Sequence, residues 1–345
     1  MPTPTPQAPS LAEIEAAAEA LAGRIVATPV VELASDRIRE HLPPSARVAV
    51  KLELFQHAGS FKPRAALLHI DRLDADARRR GVTAVSAGNH ALAVSFAAAS
   101  QGVSAKVVMP KTADPVRVAG CRALGGEVVL VEDVQEAFPA MERIVADEGR
   151  FAIHPFEGRV TALGTGTCGL EMIRQLPDLE AVVIPVGGGG LIAGMSNVIK
   201  QIRPDCLVIG VEPEGADSMT RSFAAGAPQK QPKVTTIADS LGAPFALPYS
   251  FALARANVDE MLRIEDDDML RGMALLYDAL KIAAEPAAAA ATAALMGPLR
   301  QRLAGKRVGV IACGSNIGER AFADYVGRGR ESLSLASHDH HGRER

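Results

Sequence analysis

Four successive glycines, Gly187-Gly188-Gly189-Gly190, stand between the β-branched run Ala181-Val182-Val183-Ile184 and a helix-like stretch over residues 192–199. A strand that passes into a helix through residues without side chains leaves backbone N–H groups bare at the helix N-terminus, where the dipole favours an anion. The loop has neither GxGxxG spacing nor the Lys-Ser/Thr ending of a nucleotide P-loop. A flexible turn would explain one or two glycines, but four in a row at such a switch point to a phosphate cradle. Short β-branched segments at 48–52, 84–86, 107–109, 128–131, 182–186, 208–211 and 308–311 alternate with helical ones. This alternation specifies an α/β architecture with parallel sheets, and no repeat at a solenoid period interrupts it.

A second feature is Gly59-Ser60-Phe61-Lys62-Pro63-Arg64, read as a strand-to-helix junction. Lysines are mostly exposed, but one held between Phe61 and the apolar run 65–68 is partly desolvated. That frees an amine able to form a Schiff base. Ser86-Ala87-Gly88-Asn89-His90 precedes an apolar helix over 91–99, where bare amides can receive a carboxylate; an ordinary N-cap is the plainer reading. Ile311-Ala312-Cys313-Gly314-Ser315-Asn316 again lies between a strand and a helix, with a buried structural thiol as its plainer reading.

Together these segments resemble the fold type II pyridoxal-phosphate enzymes, most closely the serine/threonine dehydratase group that includes serine racemase. The resemblance covers residues 11–328. It takes in Ile153-His154-Pro155-Phe156, Gly164-Thr165-Gly166-Thr167, Val211-Glu212-Pro213, Thr236-Ile237-Ala238-Asp239 and Ala284-Glu285-Pro286-Ala287. It implies two open, mainly parallel twisted sheets flanked by helices. Residues 1–70 with 156–345 would form a large cofactor-binding domain, residues 71–155 a small inserted one, and the motifs at strand carboxyl ends would meet in the cleft between them.

The resemblance also implies roles. Lys62 would carry pyridoxal 5'-phosphate and act as general base, and Phe61 would pack on the cofactor ring. Gly187, Gly188, Gly189, Gly190 and Leu191 would hold the phosphate, Asn89 the ring hydroxyl, and Cys313 would stand as a neutral group beside the ring nitrogen. Ser86, Ala87, Gly88, Asn89 and His90 would receive the substrate carboxylate. The reaction implied is β-elimination of a 3-hydroxy amino acid such as L-threonine, L-serine or a bulkier one, giving a 2-keto acid and ammonia. The alternatives are an amino-acid racemase and, from another class, a non-catalytic small-molecule-binding relative. Racemases of the group carry a serine where Ala87 stands here.

Departures bear on substrate: Ser240 replaces the usual glycine after Ala-Asp, Gly314-Ser315 the usual Gly-Gly or Gly-Ala, and Ala65 a common glycine. Racemase-like relatives hold a divalent ion through the Val-Glu-Pro glutamate, a carbonyl and a later carboxylate. Here Glu212 and Ala216 remain but Ser218 takes the last place, so at most a weak site is expected, with Asp217 as substitute.

Composition bounds the rest. The 37 basic and 40 acidic residues nearly cancel, to a net −3, which excludes a nucleic-acid footprint and an attraction to anionic membrane. Cys121, Cys168, Cys206 and Cys313 show no Cys-x-x-Cys or metal spacing, which suits free thiols in a reducing cytoplasm. No secretory signal or membrane span is recognised; the alanine-rich run from Pro286 reads as a buried helix. The sequence leads us to expect a homodimer, no regulatory domain, and an irregular polar tail from about Gly329 whose His338, His340 and His341 could bind metal adventitiously.

Overall fold

The computed structural model describes residues 7–341. Among these described residues ten strands form two sheets. They are β1 (Val30–Glu32), β2 (Arg47–Lys51), β3 (Val82–Val85), β4 (Ala105–Pro110), β5 (Glu127–Val131), β6 (Phe151–Ala152), β7 (Ala181–Pro185), β8 (Leu207–Pro213), β9 (Glu260–Ile264) and β10 (Arg307–Ile311). The larger sheet has the order β1-β2-β10-β7-β8-β9 and the smaller β5-β4-β3-β6. Every pairing is parallel except β1 with β2 at the edge. All four strands of the smaller sheet come from residues 82–152.

Hydrophobic continuity explains the centre of the larger sheet. All five residues of β7 are buried, as a parallel strand covered on both faces requires. The alanine-rich helix Pro286–Met296 is buried except at Met296, and its small side chains let the helix Asp266–Leu280 approach closely: a Cβ on Gly272 would lie 2.8 Å from the Ala289 carbonyl oxygen. The same device brings the helices Pro63–Asp71 and Arg159–Gln175 together. A Cβ on Gly164 would lie 2.4 Å from Ala65 Cα. No helix among the described residues is long and apolar enough to cross a membrane.

Two local expectations need correction. Lys62 does not follow β2 directly; two short 3-10 turns, Glu53–Phe55 and His57–Gly59, intervene before the helix that starts at Pro63. The chain beyond Gly329 is not irregular but continues the helix Glu319–His341. Packing overrides its polar composition: Arg330 pairs with Asp278, Arg271 donates to Ser332 at 2.9 Å, and Gly329 lies so close to Leu270 that a Cβ there would clash with its carbonyl. The side chains of His338, His340 and His341 lie outside the described residues.

Candidate active site

Lys62 stands at the N-cap of the helix Pro63–Asp71, with Pro63 pre-set for the first helical position. Its ammonium donates to the Pro155 carbonyl at 2.6 Å and lies 5.1 Å from the centre of the Phe61 ring. Burial disfavours the charged form and lowers its pKa to about 8, although Cys313 and Glu285 pull the other way. The Phe61 amide donates to the Cys313 carbonyl at 3.2 Å, and an antiparallel bridge joins Ser60 to Gly314. The carboxyl end of β10 is thereby fastened to the lysine loop. Cys313 itself is buried; burial first, and then Glu285, hold its thiol well above the ordinary range, so it is neutral.

The tetraglycine loop runs from the end of β7 into the helix Gly190–Ile202. The amides of Gly187, Gly188 and Gly189 donate to no protein acceptor among the described residues. Gly189 has φ +87°, the left-handed region that favours glycine. A Cβ on Gly188 would lie 2.3 Å from Phe156 Cγ, and one on Gly190 2.7 Å from the Phe156 carbonyl oxygen. Bare amides, a helix N-terminus and a buried, pKa-lowered lysine form a donor set that fits a phosphorylated aldehyde cofactor.

The turn after β3 behaves partly as expected. Two of its amides are not bare: that of Gly88 donates to the Ser86 hydroxyl at 3.0 Å and that of Ser86 to the Val108 carbonyl at 3.1 Å. Ala87 presents only a methyl group. The helix starts at Asn89, and the buried His90 ring faces the Ile153 carbonyl, 2.8 Å from Nε2. Burial and then the Lys62 charge keep His90 well below its ordinary pKa and lower His154 to about 4, so both are neutral.

Asn89 joins a network that the sequence did not announce. Its Nδ2 donates to Glu285 Oε1 at 2.6 Å and to the Ser240 hydroxyl at 3.2 Å, while its Oδ1 accepts from Asn316 Nδ2 at 2.6 Å. Arg117, on the helix Pro115–Ala123, forms a forked pair with Asp239 and donates through Nε to the Asn316 carbonyl at 2.7 Å. Its guanidinium lies against the turn 86–90: a Cβ on Gly88 would meet Arg117 Nη1 at 2.8 Å. Glu285 Oε2 forms an ion pair with Arg117 Nη2 at 3.7 Å, beyond hydrogen-bond reach, and accepts no hydrogen bond among the described residues. Burial raises Glu285 to about pKa 7 in spite of Arg117. One sequence signal pointed here: a lone carboxylate at the head of the all-apolar helix from Pro286 has nowhere to go but inside.

The remaining candidates lie apart from this network. Glu212 accepts from the Met219 amide at 2.9 Å and from the Thr220 amide and hydroxyl at 2.7 and 2.6 Å, capping the helix Ser218–Ala225. Asp217 pairs with Arg221 and Arg263, and Ala216 is buried. The carboxylates named for a metal are thus occupied by protein donors.

Comparisons agree with this geometry. Residues 21–314 match the family described as "Pyridoxal-phosphate dependent enzyme". The chain is 53% identical over 286 residues to a phenylserine dehydratase of Ralstonia pickettii, covering 83% of this chain and 88% of that one. It is 37% identical over 283 residues to an L-threonine ammonia-lyase of Thermotoga maritima, covering 82% and 70%. Among solved structures, maize serine racemase superposes with a TM-score of 0.86 at 30% identity, covering 97% of this chain and 100% of the other. The lysine, the bare glycine loop and these likenesses converge: the chain belongs to the pyridoxal-phosphate dependent enzymes.

Proposed function

We propose that the protein is a pyridoxal-phosphate-dependent ammonia-lyase that converts a 3-hydroxy amino acid, such as L-threonine, L-serine or a bulkier analogue, to a 2-keto acid and ammonia. Lys62 is the residue to hold the cofactor, the amides of Gly187 to Gly190 with Leu191 its phosphate, Phe61 its ring face and Cys313 its ring nitrogen. When bound, pyridoxal phosphate supplies the electron sink that acidifies the substrate Cα–H bond. The amides of the turn 86–90 other than those of Ser86 and Gly88, which protein acceptors take, orient the substrate carboxylate, and His90 steadies that turn through Ile153. Lys62 Nζ takes the Cα proton, which its lowered pKa allows near neutral pH. The Cα–H and Cβ–O bonds break as a Cα=Cβ bond forms, one proton passes to the leaving hydroxyl in balance with the one Lys62 removes, so that water departs, and the enamine released takes up water to give keto acid and ammonia.

Ala87 carries the choice of lyase over racemase. Returning a proton to the opposite face of Cα needs a second acid there; the Ala87 methyl has none to give, and alternation of side chains along the incoming strand turns Ser86, one residue earlier, away from the substrate. The four cysteines are all buried and unpaired, in keeping with a cytoplasmic enzyme, and a homodimer is its expected assembly.

Keto-acid release across a panel of 3-hydroxy amino acids, with chiral chromatography of the mixture, tests the proposal. Release from L-enantiomers with little D-amino acid is the expected result, and Ala87→Ser should introduce some racemisation. D-product forming as fast as keto acid in the wild type would replace lyase by racemase. Borohydride reduction should fix the label on Lys62, and Lys62→Ala should abolish turnover.

A further inference from the structure

Between β6 and the helix Arg159–Gln175 the chain crosses through residues 153–158 with no strand or helix of its own. Three consecutive residues of that crossing each touch a different wall of the site. The Pro155 carbonyl accepts from Lys62 Nζ at 2.6 Å. Phe156 covers the glycine loop: a Cβ on Gly188 would lie 2.3 Å from its Cγ, and one on Gly190 2.8 Å from its Cα. Glu157 accepts from the Tyr249 and Ser250 amides at 2.6 and 3.1 Å and from the Ser250 hydroxyl at 2.6 Å. It thereby holds the N-terminus of the helix Pro248–Asn257, where a Cβ on Gly189 would lie 3.4 Å from Ser250 Cβ.

A crossing of this kind has one shape only if something takes its amides. No backbone carbonyl accepts from the Phe156 or Glu157 amide among the described residues. Both donate instead to a single atom, His154 Nδ1, at 3.3 and 3.1 Å. A side-chain acceptor that takes the amides just ahead of it is the device of an Asx turn, made here by an imidazole. Nδ1 can accept only while it carries no proton, so the neutral ring holds its hydrogen on Nε2. Burial and then the Lys62 charge keep the ring in that form. The ring also meets Phe156 edge-on, with centres 4.7 Å apart at 88°, and lines the same enclosed cavity as Lys62 and Pro155.

We infer that His154 is a positioning residue for Lys62: its Nδ1 fixes the turn whose Pro155 carbonyl aims the lysine amine. The inference rests on the lyase reading only through Lys62 as the residue that holds the cofactor and takes the Cα proton. Misplacing a reacting group by about 1 Å can cost on the order of a hundredfold in rate. One ring nitrogen that sets residues 155, 156 and 157 together therefore bears on the rate without itself meeting the substrate.

Three variants separate the two ring nitrogens. His154→Asn puts an amide oxygen where Nδ1 stands and keeps the turn's acceptor, His154→Gln reaches the place of Nε2 instead, and His154→Leu keeps bulk with neither. Two rates are read in each: kcat for keto-acid release from L-threonine, and the rate at which the apoenzyme gains visible absorption when pyridoxal phosphate is added. The second needs Lys62 to be aimed but needs no turnover. His154→Leu and His154→Gln should each lose about tenfold in both rates with KM changed less than about threefold, while His154→Asn stays within about threefold of the wild type. Urea midpoints of the same variants measure any general loss of stability. Leucine matching the wild type, asparagine no better than leucine, glutamine keeping rates that asparagine loses, or losses that follow the urea midpoints would each overturn the inference. Should His154→Leu fail to fold, the contrast of asparagine with glutamine decides alone. A wild type that releases keto acid from no 3-hydroxy amino acid would sink the lyase reading, and the absorption rates would still decide whether His154 positions Lys62.

Discussion

Two buried arginines lie in carboxylate networks on either side of Lys62, and they are built differently. Arg64 makes paired 2.7 Å bonds from Nε and Nη2 to the two oxygens of Glu53, with both side chains fully buried. Nη1 reaches Thr167 at 3.2 Å and Nη2 reaches Glu171 at 2.8 Å, while Lys51 adds a second cation. Two cations meet two carboxylates. Burial alone would raise Glu53, yet the charge and hydrogen bonds of Arg64 hold it below the ordinary carboxylate range. Around Arg117 the match is incomplete. Asp239 takes the guanidinium fork, and Glu285 is left with one oxygen that accepts no hydrogen bond and a pKa raised to about 7. Saturation marks scaffold, since it leaves nothing for a ligand to bond. The unsaturated network is the one that touches Asn89 and the turn 86–90.

Breaking the saturated network should have the largest effect. Arg64→Met would strand the buried Glu53, and removing one partner of a buried ion pair costs about 3–5 kcal/mol. Urea unfolding at neutral pH measures it. A loss below about 1 kcal/mol would mean that the Arg64 cluster is not the scaffold its geometry describes.

Glu285→Gln sharpens the contrast through pH. Burial raises the folded carboxyl to about pKa 7 from the 4.5 of a free glutamate side chain. Between those values the folded chain keeps a proton that the unfolded chain has released, so stability falls as pH rises through the window. Below it both states are protonated and the difference vanishes. The glutamine variant lacks this term. Its stability relative to wild type should therefore improve from pH 4.5 to pH 8 by roughly 3 kcal/mol, the order given by the shift at 1.36 kcal/mol per unit. Parallel denaturation curves across that range, with no change in the difference, would show that folding does not shift the titration of Glu285.

The same contrast governs what the sequence discloses. Lys62 and the tetraglycine loop are legible because local pattern carries them: a lysine beside an aromatic and a proline, and glycines at a strand end. Seven strands announce themselves by β-branched runs. The three missed strands are the edges β1, β6 and β9, two of them very short and the third, Glu260–Ile264, broken by charge. The Arg117 network is half legible: Asp239, Glu285 and Asn316 stand in segments that carry the resemblance, but Arg117 stands in none of them, and only the fold brings it within 3.2 Å of its partners. The helical continuation past Gly329 depends on contacts with Asp278 and Arg271, which no local propensity encodes.

The smallest effect should come from the open end of the unsaturated network. Asp239 is half-exposed, with 51% of its side chain accessible, although the guanidinium that it grips is buried. Water can solvate the carboxylate when the pair breaks, and salt can screen it, so the exchange behaves more like a surface pair than like Glu53 with Arg64. Asp239→Asn keeps the shape and one acceptor for the Arg117 fork. Unfolding free energy should fall by less than about 1 kcal/mol, and by less still in 0.5 M salt than in 0.05 M. A loss as large as that of Arg64→Met, unaffected by salt, would place Asp239 in the scaffold and erase the distinction between the two networks.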